Sequence, residues 1–300
     1  MATYLSGCFS GYCWPREKGN VVVIGAPLEA TVSFRPGTRF APRSIREASA
    51  FIEYWSLRAN LDVDEAVRFY DAGDALVEQP LRKALEAIAA SIVENLDGRP
   101  LVVLGGEHTI TYGVVQGLLE SGRKPCILQL DAHMDMRDEY AGHKLSHATF
   151  MRRIVEHFRV PVLQVGVRGF AREELEYVQA HRIPVIDARE FSERGVSDAL
   201  SLLLRLLEQG GCNHLHVTLD MDVFDPSAAP GVSNPEPEGP PTSYVIDVVF
   251  EAARLAASRG MSISMDVVEV APPYDCGNVT SVLAAKTIVE FIAGWLRGAK

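Results

Sequence analysis

Short apolar runs rich in β-branched residues alternate with longer amphipathic stretches along nearly the whole chain. The runs at 21–24, 67–70, 101–104, 127–130, 162–165, 184–186, 215–219 and 262–267 are too short for helices and predict strands. Between them, 42–55, 81–96, 173–181, 197–208, 244–259 and 281–296 predict helices. The last carries Val282, Ile288, Val289, Ile292 and Trp295 at helical spacing, which makes one apolar stripe. Strand, helix, strand, repeated this often, predicts a parallel sheet covered by helices on both faces. No linker, repeat or break in composition divides the chain. One domain over 1–300 is expected, with 1–19 as an N-terminal extension.

Ligands of such sheets bind outside the carboxyl ends of the strands, so the residues just after each apolar run matter most. The run at 128–135 reads LQLDAHMD, placing Asp131, His133 and Asp135 two apart. Alternate residues of an extended backbone point the same way. Two carboxylates and an imidazole are therefore aimed at one small volume, a concentration of negative charge that calls for cations. The run at 215–219 ends the same way, in Asp220 and Asp222. After 101–104 comes GGEHTITYG, where Gly105 and Gly106 permit a tight turn and His108 opens a helix facing the same rim. His147 follows Ser146, a candidate N-cap, and is a candidate proton shuttle because its ordinary pKa lies near neutrality. Glu269 leaves the strand at 262–267 just before Pro272-Pro273 and is placed to grip a cationic group. In the loop after 21–24, Arg35 and Arg39 are candidates for holding carboxylates or a neighbouring subunit. His214 and His216 share a strand face with Asp220 but lie nearer its other end, and read as structural.

Composition narrows the function. A formal charge of -10 disfavours nucleic-acid binding and is compatible with a cationic small substrate. No apolar run approaches the roughly 20 residues of a membrane span, and MATYLSGCFSGYCWPREKG lacks the order of a secretory signal. A cytoplasmic protein without membrane partners is expected. Five scattered cysteines argue against a disulfide framework: Cys126 and Cys212 read as small hydrophobes, and Cys8 and Cys13 as a loose pair of undetermined partner. Neither G-x-G-x-x-G nor G-x-x-x-x-G-K-[ST] occurs, so nucleotide cradling lacks support.

His108, Asp131, His133, Asp135, Asp220 and Asp222 together offer four carboxylates and two imidazoles. Four negative charges balance two divalent cations. Carboxylate-rich donor sets suit manganese or magnesium, and the imidazoles tilt the choice towards manganese or iron. Paired ions make hydroxide from water near neutrality, so the chemistry predicted is hydrolysis.

On RPGTRFAPRSIREAS, GGEHTIT, DAHMD, SHATFMRR, DMDVFDP and DVVEVAPPYD, in this order, the chain resembles the ureohydrolases, the family of arginase and agmatinase, and the agmatinase branch most closely. The resemblance covers about 25–291. It implies a three-layer α/β/α sandwich with a parallel, roughly eight-stranded sheet, two Mn2+ per chain on the same six residues, and a homo-oligomer, trimer or hexamer. It also implies that metal-bridging hydroxide attacks the guanidino carbon. Asp135 would hold that hydroxide, Glu269 would pair with the guanidinium, and His147 would relay a proton to the departing amine.

Arginases carry an Asn after the Asp-Ala-His-x-Asp run and a Ser-Gly-Asn segment before the later histidine. Here these regions read MRDEY and GHKLSH, which disfavours arginine. The expected substrate is agmatine, yielding urea and the polyamine precursor putrescine, with Asp138 or Glu139 attracting its far amine. Arg137 instead favours a carboxylate, as in 4-guanidinobutyrate, and N1-aminopropylagmatine is a third possibility. Glu29 stands where the family often has Asp, leaving the first loop's role open. Rival classes are a metal-dependent amide deacetylase, which would hold one zinc, and a non-catalytic binding protein keeping the fold.

Overall fold

The alternating pattern folds, in a computed structural model describing residues 7–299, into one eight-stranded sheet in which every pairing is parallel. The strands are β1 (Val21–Ala26), β2 (Phe69–Asp74), β3 (Leu101–Gly105), β4 (Pro125–Leu130), β5 (Val162–Val167), β6 (Val185–Asp187), β7 (His214–Asp220) and β8 (Ser262–Val268). Their spatial order is β2-β1-β3-β8-β7-β4-β5-β6. The two strands made last in sequence thus separate β3 from β4 at the centre of the sheet. That puts the carboxyl ends of β3, β8, β7 and β4 side by side.

Helices cover both faces, as expected, but the faces differ. On one, a continuous core joins alternate residues of the strands, such as Val102, Leu128, Val217 and Met265, to helices Ala41–Ser49, Val196–Gln209, Thr242–Ser258 and Val279–Gly298. On the other, the core is in two clusters. One gathers Val22, Leu101 and Val103 under helices Leu81–Asn95 and Ile110–Glu120; the other gathers Ile127, Val162 and Val167 under helix Phe150–Phe158 and helix Arg172–His181. Between them, the same face of β7 and β8 is polar: His214, His216 and Thr218 lie beside Ser262, Ser264 and Asp266.

Several sequence expectations shift. The helix predicted over 42–55 ends at Ser49, and the chain continues through a two-stranded ribbon, Trp55–Ser56 with Leu61–Asp62. The strand predicted at 67–70 starts two residues later and runs to Asp74. Helix Ala188–Arg194, capped by the Asp187 side chain, was not predicted. Of the N-terminal extension 1–19, residues 1–6 lie outside the described residues. Of the remainder, Phe9–Gly11 are buried, Phe9 against Phe69 at 4.9 Å between ring centroids, while Pro15, Arg16, Glu17 and Lys18 are exposed.

Two corrections are larger. Among the described residues, Cys276–Gly298 is long and apolar enough, by length and composition, to cross a membrane, contrary to the reading that no run qualifies. Two thirds of its apolar 18-residue window is buried, however, and the helix packs with Ala41–Ser49 and Thr242–Ser258 in the continuous core. The cysteines are also paired: Cys8 with Cys13, and Cys126 with Cys212, whose Cα atoms are 5.7 Å apart. The reading of Cys126 and Cys212 as separate hydrophobes fails because β4 and β7 are neighbours. Cys126 registers with Leu215, which brings the turn before β7 within reach. Cys276 remains free and exposed.

Candidate metal centre

Three strand ends deliver the six candidate ligands to one place. After β3 the chain turns through Gly106, where a Cβ would collide with the backbone of Leu28; only glycine lets the loops following β1 and β3 cross this closely. His108 sits in that turn. β4 runs out into Asp131, His133 and Asp135, and Asp135 (φ 53°) adopts the left-handed conformation that breaks the extended run. β7 ends in Asp220, whose side chain accepts the backbone N–H of Asp222 at 2.8 Å.

The donor atoms form two overlapping groups. His108 Nδ1 lies 3.0 Å from Asp220 Oδ2, 3.1 Å from Asp131 Oδ2 and 3.5 Å from Asp135 Oδ2. His133 Nδ1 lies 2.9 Å from Asp222 Oδ2 and 3.7 Å from Asp131 Oδ1. Asp131 therefore contributes one oxygen to each group. Adjacent ligands of an ion held at about 2.1 Å are themselves about 3 Å apart, so these separations fit cation coordination. His108 Nδ1 is fully buried and lacks a hydrogen-bond partner, as a nitrogen reserved for a metal should.

The electrostatics say the same. Burial acts to lower the His108 pKa, yet the carboxylates of Asp131 and Asp220 outweigh it and hold the pKa well above its ordinary value. His133 behaves alike: burial lowers its pKa, and Asp222 and Asp131 drive it well above the ordinary value. Asp135 and Asp220 are pushed well above the usual carboxylate range, first by burial and then by neighbouring carboxylates. Carboxylates packed this closely call for positive charge between them, which two divalent cations would supply.

Glu269 and His147 face the same cavity, of roughly 470 Å³. Glu269 follows β8 in the left-handed region (φ 65°), an uncommon conformation for this residue. Its carboxylate accepts the His108 backbone N–H at 2.6 Å and the Ser233 hydroxyl. Burial raises its pKa to about 7, with the Ser233 hydrogen bond opposing. His147 has Nε2 3.1 Å from Ser33 Oγ and Nδ1 3.3 Å from Thr31 Oγ1. Burial keeps its pKa below the ordinary value, against the pull of Glu107.

Other expectations are not met at the cavity. Asp138 turns away to Arg153 at 2.9 Å, Arg152 at 3.4 Å and Lys144 at 3.4 Å, and Glu139 is exposed; neither lines the cavity. Arg137 does line it, beside Glu174 at 3.7 Å. Ser146 does not cap a helix starting at His147, because that helix begins at Phe150. Glu29 closes its own loop by accepting the Gly37 N–H at 2.5 Å, and Arg39 pairs with it at 3.6 Å. Arg35 stacks over Phe34 and Tyr274.

Glu107 and Arg168 are among the residues that escaped the sequence reading. Buried Glu107 accepts the N–H groups of Ala30 and Thr31, at 2.5 and 2.6 Å, and the hydroxyls of Thr31 and Thr109. It thereby pins the loop that touches His147. Arg168, just past β5, donates to the carbonyls of Gly166, Asp222, Val223, Phe224, Glu236 and Pro237, clamping the segment after β7. A glutamate beside a site histidine and an arginine at a strand exit on an acidic rim were the available signals.

Comparison with known proteins agrees with this geometry. A family profile described as the arginase family matches residues 19–294. The chain is 32% identical to an agmatinase of Bacillus anthracis over 288 residues, 94% of this chain and 93% of that one. It is 30% identical to a guanidinobutyrase of Pseudomonas aeruginosa, covering 90% of this chain and 84% of that one. Among solved structures, the agmatine ureohydrolase of Thermoplasma volcanium superposes with a TM-score of 0.82 at 27% identity, covering 99% of this chain and 95% of that one.

Proposed function

The chain belongs to the arginase family and is a hydrolase of guanidino C–N bonds, and from that premise we propose that it cleaves agmatine to urea and putrescine with two manganese ions per chain. The observation that carries this reading is Glu269, a buried carboxylate opening into the same cavity as the six candidate ligands. A carboxylate so placed grips a guanidinium through charge-assisted, potentially bidentate hydrogen bonds. The ligand set would be His108, Asp131, His133, Asp135, Asp220 and Asp222. When bound there, paired divalent ions supply Lewis acidity and lower the pKa of water.

The chain's own residues supply the rest. Asp135, at the edge of the cluster, orients the attacking water while completing the ligand set. Glu269 holds the guanidinium with its carbon turned towards that water. His147, within reach of the Ser33 and Thr31 hydroxyls, takes up the proton that the attacking water gives up and passes it to the amine as the C–N bond breaks. Water and agmatine are consumed, and urea and putrescine leave. The negative lining formed by Glu174 and Glu236 supports a cationic far end.

Arg137 in the lining favours a second reading, a substrate ending in a carboxylate such as 4-guanidinobutyrate. Urea release from agmatine, arginine, 4-guanidinobutyrate and N1-aminopropylagmatine, with added Mn2+, separates the two. Agmatine is expected to give the highest kcat/KM. A higher value for 4-guanidinobutyrate would transfer the proposal to the second reading, and no urea from any of the four would overturn both.

A further inference from the structure

The polar line that splits the second face of the sheet has no part in the chemistry above. On β7 it consists of His214, His216 and Thr218, followed by Asp220; on β8, of Ser262, Ser264 and Asp266. The register sets them side by side, Ser262 with His214, Ser264 with His216 and Asp266 with Thr218. All but Ser262 are fully buried, where polar groups persist only if hydrogen-bonded.

They are bonded in one unbroken chain. His108 Nε2 lies 2.8 Å from Thr218 Oγ1. Thr218 Oγ1 lies 3.3 Å from Thr111 Oγ1, whose hydroxyl donates to Asp266 Oδ2 at 2.9 Å. From the other side, His216 Nε2 lies 3.0 Å from the same oxygen, and its Nδ1 is 2.8 Å from Ser264 Oγ. Ser264 Oγ is 2.7 Å from His214 Nε2, and His214 Nδ1 is 2.8 Å from Ser262 Oγ.

Donors and acceptors can be assigned along its whole length. To hold a cation, His108 must present a lone pair at Nδ1, so its proton sits on Nε2 and is donated to Thr218. Thr218, having accepted, donates to Thr111, which donates to Asp266. An ionised carboxylate only accepts, so His216 donates from Nε2 and accepts the Ser264 hydroxyl at Nδ1. His214 likewise donates to Ser264 and accepts from Ser262. Every hydrogen on both arms points towards Asp266.

We propose that Asp266 is a positioning residue for the deeper metal position, fixing the tautomer and basicity of His108 through Thr111 and Thr218, with His216 and Ser264 holding the carboxylate from behind. This rests on the reading of His108 as a metal ligand. Carboxylates that orient a ligating histidine raise its basicity, and their loss costs about 10–100-fold in metal affinity.

The test is equilibrium Mn2+ binding by the full chain, followed by calorimetry and by the EPR signal of free Mn2+, alongside the melting temperature of the metal-free protein. Asp266→Asn and Thr218→Val should each weaken one of the two Mn2+ equivalents by about 10–100-fold and leave the other unchanged. Thr218→Ser, which keeps the hydroxyl, should restore affinity to within about threefold of wild type. The Thr218→Val/Asp266→Asn double variant should bind no more weakly than either single one, because the two residues act in series. Wild-type affinity at both positions in Asp266→Asn, or equal loss at both, would overturn the inference. Should Asp266→Asn fail to fold, the Thr218 pair decides alone: equal affinities in Thr218→Val and Thr218→Ser would overturn it. A wild-type chain that binds no pair of Mn2+ would instead overturn the reading on which it rests.

Discussion

His108 and His133 stand in opposite surroundings at the two ends of one cluster. His108 is sealed in, its side chain 1% exposed, with its ring 4.3 Å from that of Phe150 and its Nε2 tied to Thr218. His133 is 25% exposed, its Nε2 faces Glu236 at 3.6 Å across the cavity edge, and a loop, at Gly169, lies against its ring. Strands and a completed hydrogen-bond chain set the first; loops set the second. The deeper half is rigid because packing leaves it no alternative, whereas the shallower half is only as well placed as the Arg168 clamp makes it.

Asp131 is the one residue with an oxygen in each half, and its replacement should erase the contrast. Asp131→Asn is expected to lower urea release by at least about 10³-fold, consistent with loss of a preorganised electrostatic site, and to remove both ions by elemental analysis. One ion retained per chain would show that the halves are independent. His147→Ala touches neither half and should slow kcat by about 10²–10⁴-fold, the usual scale for a proton-transfer residue, with both ions still bound. Metal loss in that variant would mean that His147 has been misplaced in the scheme.

Arg168→Met should loosen the shallower half selectively. Without six carbonyls drawn to one guanidinium, kcat/KM is expected to fall by about 10–100-fold, the scale of a lost orienting contact around metal ligands, and a chelator should then strip one equivalent well before the other. Simultaneous release would sink the asymmetry. The smallest effect concerns acid. Burial, aided by His216 and Arg123, holds the His214 pKa well below 6.5, so below that pH the unfolded chain binds a proton that the folded one refuses. Stability of the metal-free protein should therefore fall as pH drops beneath about 6.5, with a slope of at most about 1.4 kcal/mol per pH unit from this residue. His214→Gln should flatten that slope in urea titrations; an unchanged slope would place the effect elsewhere.

How much of this was legible follows from the kind of signal involved. Asp131, His133, Asp135, Asp220 and Asp222 could be read because strand ends repeat a period of two, which survives translation into space. Strand order was not readable from the residues themselves: nothing local to β7 and β8 says that they pass between β3 and β4, and that insertion brings His108 to Asp220. The same insertion joined Cys126 to Cys212. Asp138 and Glu139 misled because their charges looked free, whereas Arg152, Arg153 and Lys144 had already claimed Asp138. Glu107 and Arg168 were signalled only by their positions, beside a site histidine and at a strand exit, because many of their partners are backbone groups, which carry no sequence signature. His214 and His216 read correctly as structural, but the chain of bonds through Asp266 needed the register of β7 on β8.

The insertion of β7 and β8 between β3 and β4 has a further consequence for folding. In the unfolded polypeptide the donor set survives only as two short chelates, 131–135 and 220–222, with His108 far from both, until four parallel strands have paired, a slow and non-local event. Cation affinity is therefore created by folding, and by linkage it is returned as stability. At a hundred times its dissociation constant, one ion bound only to the native state adds about 2.7 kcal/mol. Metal supply would then govern how long the chain survives proteolysis as well as how fast it turns over.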